Sequence, residues 1–493
     1  MSSKKIIIDG LHLGGARVWT LLLAIGTTYT TARLLGPRDF GLLAAFNLVP
    51  QIALYGSLGW DSAVTRELPH LRAAGREAAA VESRSTAYTA ELLTAALWLI
   101  VGIAAAIFMT RPATQIAALL GGVSVVIGKL TRLYAIDAFA AKDFRIQARV
   151  TMVAGTGSAI FQTLGAWRGG ALAAFGGILL ANTIALLVFE LSRPMRFSLR
   201  IERRELWRLT RVGVPLTLLG LLSGTTGATV YLERTLIGSQ AGLATLGLYV
   251  FATNVNNSFV SFVGDFAKSW QPHLFEALAK PSEEGDRDRW LTRPGLALSF
   301  TAALLATCML AGVPFLIRLF LPAYAAVIPA LPILLLAGLF ACLLFVPGNF
   351  LLSSFADQQV YYTKLWALAM LAFGGVLWLV LHAKAGLVGI AAAAIVPPLV
   401  VFIGALPKAY SFYAAGWRMQ LPHMVRIIVP GLYVSAVHMT CRLVFKDVLS
   451  QSPFIHELSL ASFTLLLTLL PIGLAAWHTF EGSRLLREHY EAS

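Results

Sequence analysis

A helix needs about 20 consecutive apolar residues to cross a bilayer core of roughly 30 Å, and this chain supplies that pattern fourteen times. The runs lie near 12–34, 39–62, 86–110, 114–138, 147–167, 169–191, 211–233, 243–265, 294–320, 325–350, 361–382, 385–407, 424–446 and 458–480. The tightest joints fall around Trp167 and Lys384, where a short turn must separate two antiparallel helices. Of 493 residues, 57% are hydrophobic and only 13% charged, too little polar surface to cover soluble domains of this size. The expected fold is an all-α integral membrane bundle of about 14 transmembrane helices, which excludes a water-soluble globular enzyme.

The net charge of +14 would suit nucleic acid if the basic residues were clustered, but they follow topology. With the N-terminus cytoplasmic, 27 of the 39 lysines and arginines fall in cytoplasmic segments, 9 lie on the opposite side, and Arg17, Lys129 and Arg132 sit inside spans. Retention of positive residues on the cytoplasmic side then places both termini there and removes nucleic acid as a partner. The start MSSKKIII reads as an uncleaved first span, because Asp9 and Arg17 interrupt its apolar run. Cys308, Cys342 and Cys441 lie in apolar runs without metal-ligand spacing, so neither a disulfide framework nor a metal site is expected.

The longest loops, 193–211 and 266–293, are cytoplasmic and charged, and neither is large enough for an extramembrane catalytic domain. The first marks the midpoint of twelve spans. The organisation expected is therefore a lobe of spans 1–6 (1–192), a linker (193–210), a second lobe of spans 7–12 (211–408), then spans 13–14 with a cytoplasmic tail (409–493). Weak repetition agrees. RLLGPRDFGLLAAFNLV from Arg33 and RTLIGSQAGLATLGLYVFATNV from Arg234 each carry an arginine and an L-[LI]-G turn at an outer helix end, then [FL]-G-L-[LY] entering the next span. Two pseudo-symmetric six-helix lobes of this kind would enclose a central cavity.

Polar side chains inside a membrane face a partner or water. In the eighth span Asn254, Ser258, Ser261, Asp265 and Lys268 recur at helical spacing on one face; in the first, Arg17, Thr20, Ala24, Thr27 and Thr31 do the same. Cavity lining and interhelical hydrogen bonding are both open for the hydroxyl positions. Lys129 and Arg132, at i and i+3, sit deeper, with Lys129 about nine residues or roughly 14 Å from the helix end. They would form a cationic patch open to the cytoplasm and suited to a phosphate or pyrophosphate headgroup. Asn47 and Gln51 flank Pro50 and imply a kinked, polar second helix. Asp61 and Glu91 read as interfacial, Glu233 with Arg234 as a local charge pair, and His438 as a packed histidine. Nucleotide-binding loops, HExxH and GxSxG are absent, so the chain is expected to be a transporter without catalysis or cofactor, its coupling to sodium, protons or downstream polymerisation left open.

ARLLGPRDFGLLAAF (Ala32 to Phe46), LGWDSAVTRELPHLRAAG (Leu58 to Gly75) and VPLTLLGLLSG followed by YLERTLIG (Val214 to Gly238) resemble the polysaccharide flippases of the multidrug/oligosaccharidyl-lipid/polysaccharide exporter superfamily. The resemblance implies a bacterial inner-membrane protein that flips a polyprenyl-pyrophosphate-linked oligosaccharide to the periplasmic leaflet by alternating access, for O-antigen or exopolysaccharide synthesis. Its partners would be the lipid-linked oligosaccharide, the lipid bilayer, and a polysaccharide polymerase and glycosyltransferases. Peptidoglycan-precursor flippases of this superfamily use cavity arginines on the first, second and eighth helices. Arg17 matches the first by placement, whereas Asn47, Gln51 and Asn254 stand on the other two. Drug exporters of the superfamily have twelve spans and an acidic residue in the first helix; here Asp9 precedes the membrane core. A multidrug antiporter and a polymerase or ligase of the same pathway are the alternatives.

Overall fold

Lipid offers backbone amides and carbonyls no partner, so apolar runs must satisfy them within helices. The computed structural model describes residues 3–73, 75–141, 143–195, 198–223, 228–278, 291–353, 356–412, 417–444 and 453–491. Contacts divide the chain into two compact units, Met1–Val250 and Phe251–Ser493. The first contains α1 (Ser3–Phe46), α2 (Leu48–Tyr55), α3 (Trp60–Ala73), α4 (Glu77–Phe108), α5 (Pro112–Ala140), α6 (Phe144–Ser192), α7 (Arg203–Ser223), α8 (Ala228–Gln240) and the first turns of α9 (Gly242–Leu278). The second takes the remainder of α9, then α10 (Arg293–Phe320), α11 (Leu331–Leu343), α12 (Phe345–Leu351), α13 (Gln359–His382), α14 (Gly386–Ala393), α15 (Val396–Tyr410), α16 (Trp417–Val444) and α17 (Pro453–Glu491).

Among the described residues, nine helical stretches are long and apolar enough to cross a membrane. They hold ten of the fourteen expected spans, because the 49-residue α6 contains two. The other four expected spans fall on α1 to α3 and α7 to α9. Gly169 and Gly170 leave helical geometry (φ −140°, ψ 19° and φ 66°, ψ −153°) and fold α6 into antiparallel arms. A methyl group added at Gly165 would stand 2.8 Å from the Ala174 nitrogen, and one at Gly177 2.8 Å from the Gln162 nitrogen, so the arms touch backbone to backbone. The second tight joint is also a turn, with Lys384 and Gly386 at positive φ between α13 and α14. The expected span 39–62 departs from a single kinked helix. Pro50 lacks an amide, and its ring presses on the carbonyl four residues back; the helix stops at Phe46, and the Asn47 side chain donates to the Leu43 carbonyl at 2.9 Å. A second break follows at Leu58 and Gly59, both at positive φ, before α3.

Of the two repeated motifs, [FL]-G-L-[LY] keeps its register, Gly41 matching Gly247, and L-[LI]-G does not. Gly238, in the second L-[LI]-G, lies within α8; the left-handed break comes at Gly242 (φ 86°), matching Gly36 (φ 68°) at a spacing of 206 residues. Gly41 and Gly247 share that spacing and face each other: a methyl group on either would stand 2.8 Å from the other's amide nitrogen. The same methyl on Gly41 would also collide with the Leu243 carbonyl, and that on Gly247 with the Pro37 carbonyl, each four residues before the opposing glycine. This reciprocity is that of a two-fold contact, and only glycine lets two helix backbones approach so closely.

The segment after α6 lies along α4. Backbone amides of Arg200 and Glu202 donate to the Thr89 and Thr86 hydroxyls at 3.1 and 3.3 Å, and Ser198 meets Ser85 at 3.2 Å. Arg208 on α7 then donates through Nε and Nη2 to Glu205 at 2.8 and 2.5 Å, and through Nη1 to Glu67 on α3 at 2.9 Å. Trp60 reaches the Thr210 hydroxyl at 2.7 Å, and α3 and α7 cross where Gly59 and Gly213 each face the other's carbonyl.

Substituting Gly247→Ala is expected to abolish the monodisperse peak of the detergent-solubilised protein in size-exclusion chromatography, whereas Gly26→Ala, with no atom within 4 Å of the new methyl, leaves it unchanged. The hydrogen bonds from Arg208 hold the Glu205 carboxyl below the usual carboxylate range. A depressed folded value contributes stability above the unfolded pKa of about 4.3, lost as pH falls through the folded value. Acidification below about pH 4.3 should therefore open the segment before α7 to proteolysis, and Glu205→Gln should make cleavage there nearly independent of pH in that range.

Candidate functional site

A single turn of α5 places Lys129 and Arg132 on one face, and each finds a carboxylate on a neighbouring helix. Lys129 Nζ lies 2.6 Å from Glu91 Oε2 on α4, with both side chains buried. Arg132 Nε pairs with Asp61 at the start of α3; that carboxylate is buried, while 45% of the arginine side chain is exposed. Asp61 Oδ1 also accepts from the Ser62 amide at 2.6 Å, and Ser57 lines the same small cleft. The Leu58–Gly59 break turns the chain at the foot of α2 so that Asp61 enters α3 beside the α5 cations. The four charges balance, and Arg132 alone of them combines a paired Nε with a substantially exposed guanidinium.

Asp61 and Glu91, expected at the membrane interface, are buried against these two cations. Their signal was present, since a carboxylate in or beside an apolar run needs a cation nearby, but linear position does not say which helix supplies it. Below the quartet, Asp137 at the end of α5 gathers Arg84 at 3.0 Å, Arg193 at 3.2 Å and Arg72 at 3.6 Å, tying α3, α4, α5 and the end of α6 together.

The other expected site residues are dispersed. Arg17 is exposed on α1. Two hydroxyls of its stripe serve packing: Thr20 lies against Gly155 of α6, and Thr31, fully buried, accepts from Gln162 at 3.4 Å. Asn47 is used at the helix break, and Gln51 is half-buried on α2, with its Oε1 lacking a hydrogen-bond partner among the described residues. Asn254 is half-buried on α9 in the second unit, its carbonyl accepting from Ser258 at 2.9 Å. The side chains of Asp265 and Lys268 lie outside those described. Glu233 and Arg234 are both buried, and Glu233 accepts from the Tyr249 hydroxyl at 2.9 Å. His438 is buried against Thr464, as a packed histidine should be. Among the described residues, no group of three or more His, Cys, Asp or Glu side chains could hold a metal.

Removing one member of a buried ion pair strands the other, at a cost of about 3–5 kcal/mol, whereas replacing both with apolar groups is often neutral. Lys129→Ala should thus lower the unfolding midpoint in a thermal or denaturant scan by that equivalent. The double substitution Glu91→Leu with Lys129→Met should recover most of it, and a double-mutant cycle measures the coupling.

The chain matches the family model described as polysaccharide biosynthesis protein over residues 31–328. No curated protein matches it in sequence. Among solved structures it resembles the lipid II flippase MurJ in an inward closed conformation, with TM-score 0.63 and 11% identity over 96% of this chain and 99% of that one. It also resembles a multidrug resistance MATE family transporter of the MOP superfamily in an inward-facing conformation, with TM-score 0.57 and 13% identity over 80% and 95%. An outward-facing structure of a MATE family transporter gives 0.51 and 14% over 83% and 96%. These identities establish a shared fold. With the family model covering more than half of its length, this multi-pass membrane protein belongs to the polysaccharide biosynthesis protein family and has the fold of the MOP-superfamily transporters.

Proposed function

We propose that the chain flips a polyprenyl-pyrophosphate-linked oligosaccharide from the cytoplasmic to the periplasmic leaflet of the bacterial inner membrane, for polysaccharide assembly. The observation that carries this reading is Arg132: a half-exposed guanidinium in an apolar span, beside a buried ion pair, in a chain of a polysaccharide biosynthesis family. An intramembrane charge is retained where it meets substrate, ion or water, and a guanidinium holds phosphate oxygens in a two-pronged geometry. Asp61 neutralises Arg132 when substrate is absent, and a pyrophosphate takes over that partnership. Lys129 stays paired with Glu91 while it does so.

In this reading the sugars are carried past Arg132, and the polyprenyl tail stays in lipid. The lobes 1–192 and 211–408 rock in alternating access, with both termini cytoplasmic. The protein is a transporter without catalysis, working beside a polymerase and glycosyltransferases. The fold shared with a lipid II flippase supports a large amphiphilic cargo, as does the family.

Deletion of the gene should cause polyprenyl-linked repeat units to accumulate on the cytoplasmic leaflet, measured by the accessibility of their sugars to a membrane-impermeant probe. Arg132→Ala at normal protein abundance should cut surface polysaccharide about tenfold, the effect of one lost charge-assisted contact, while Arg132→Lys retains part of it. Unchanged polysaccharide in Arg132→Ala would remove the arginine from the substrate path. Release of sugar from a polyprenyl donor by the purified protein in liposomes would make it an enzyme instead.

A further inference from the structure

The second unit contains a groove of about 770 Å³ between α10, α16 and α17, which no step of the proposed transport uses. Its charged and imidazole side chains come from the span ends of the three helices. Arg293 opens the α10 span, Arg426 lies just inside the start of the α16 span, and His478 is next to the last residue of the α17 span. None of the fifteen described lining residues is acidic. The apolar lining lies deeper: Leu296 and Phe300 follow Arg293 by three and seven residues, about 4.5 and 10.5 Å further along the helix, and Val429 follows Arg426 by three. A cationic band at the span ends above an apolar trough is the complement of an anionic amphiphile.

The trough is held open by its own bonds. Ser299 ties α10 to the Ile427 carbonyl of α16 at 2.6 Å, and the Tyr433 hydroxyl ties α16 to the Leu467 carbonyl of α17 at 2.8 Å. Proline has no amide to donate, so Pro430 and Pro471 interrupt the helical hydrogen bonding where the two helices line the groove. Val425 and Val429 are 47% and 51% exposed, which leaves one wall open to the bilayer.

We propose that this groove binds an anionic phospholipid of the surrounding bilayer. Arg293 and Arg426 hold the phosphate at headgroup depth, and Leu296, Phe300 and Val429 receive the upper part of the acyl chains. Its sign and depth are those of basic pockets between membrane helices that take anionic headgroups. The volume holds a headgroup and the first part of its chains, and lateral entry requires no opening of the bundle. The site is independent of the transport reading, because its ligand is a bilayer component and none of its residues lies in the Arg132 quartet.

Native mass spectrometry of the full-length protein, purified in detergent and incubated with phosphatidylglycerol, phosphatidylcholine, undecaprenyl phosphate or inorganic phosphate, tests it. One phosphatidylglycerol per chain should survive mild activation. Arg293→Gln with Arg426→Gln should weaken that retention about tenfold or more. Leu296→Trp, which fills the trough and keeps both charges, should weaken it likewise, while both variants still elute as monodisperse protein. Equal retention of phosphatidylcholine, or full retention in the arginine double variant, overturns the proposal. Displacement of phosphatidylglycerol by inorganic phosphate alone would reduce the groove to an anion site. Tighter retention of undecaprenyl phosphate would transfer the groove to the substrate. Either outcome overturns the phospholipid assignment without bearing on whether the chain is a flippase.

Discussion

Helices that share lipid as solvent gain little by burying leucine against leucine, so what holds this chain together is close contact between backbones. The positions where backbones meet are glycines: Gly41 against Gly247, Gly59 against Gly213, and the two arms of α6 along Gly165 and Gly177. At each, a single methyl group would collide with a carbonyl or an amide of the facing helix. The crossings set the helix registers, and the registers decide which polar side chains can reach one another.

The charge arrangement follows from that registry. With α3 seated on α7 through Gly59 and Gly213, Asp61 comes beside Arg132, and the packing of α4 on α5 brings Glu91 to Lys129. Buried ions of this kind cost several kcal/mol each to dehydrate, and their attraction offsets this only in good geometry. They are therefore weak devices for stability. Their balance leaves Arg132 exposed but not unopposed, a suitable condition for a group that must release as well as bind an anionic ligand. The Asp137 knot, in contrast, joins four helix ends and has the character of a clamp.

Much of this was legible in the linear pattern. Apolar run length and the asymmetry of lysine and arginine gave the membrane class, and the few charges left in spans singled out Lys129 and Arg132. Their partners were not named by that pattern. Asp61 and Glu91 look interfacial when depth is counted along their own helices, because the cations that bury them belong to another helix. Half of the repeat was in register, with F-G-L-L at Gly41 answering L-G-L-Y at Gly247, but the L-I-G at Gly238 only imitates the L-L-G at Gly36, since helical geometry continues through it to Gln240. A glycine permits a break without requiring one, and the break falls at Gly242, where the chain must turn for Gly247 to meet Gly41.

The sequence by itself determined that the chain is a helical membrane protein and which of its segments are long and apolar enough to cross lipid. Those outcomes depend on local hydrophobic length and on backbone self-satisfaction, which neighbours in sequence decide. Only the tertiary structure decided that the intramembrane cations are paired, that Thr20 and Thr31 serve packing, and that α10, α16 and α17 leave a groove with a cationic rim. Each depends on the rotation and depth of one helix against another. In lipid these are set by steric fit at small residues and by pairing of charges, interactions that reach between groups as far as 206 residues apart.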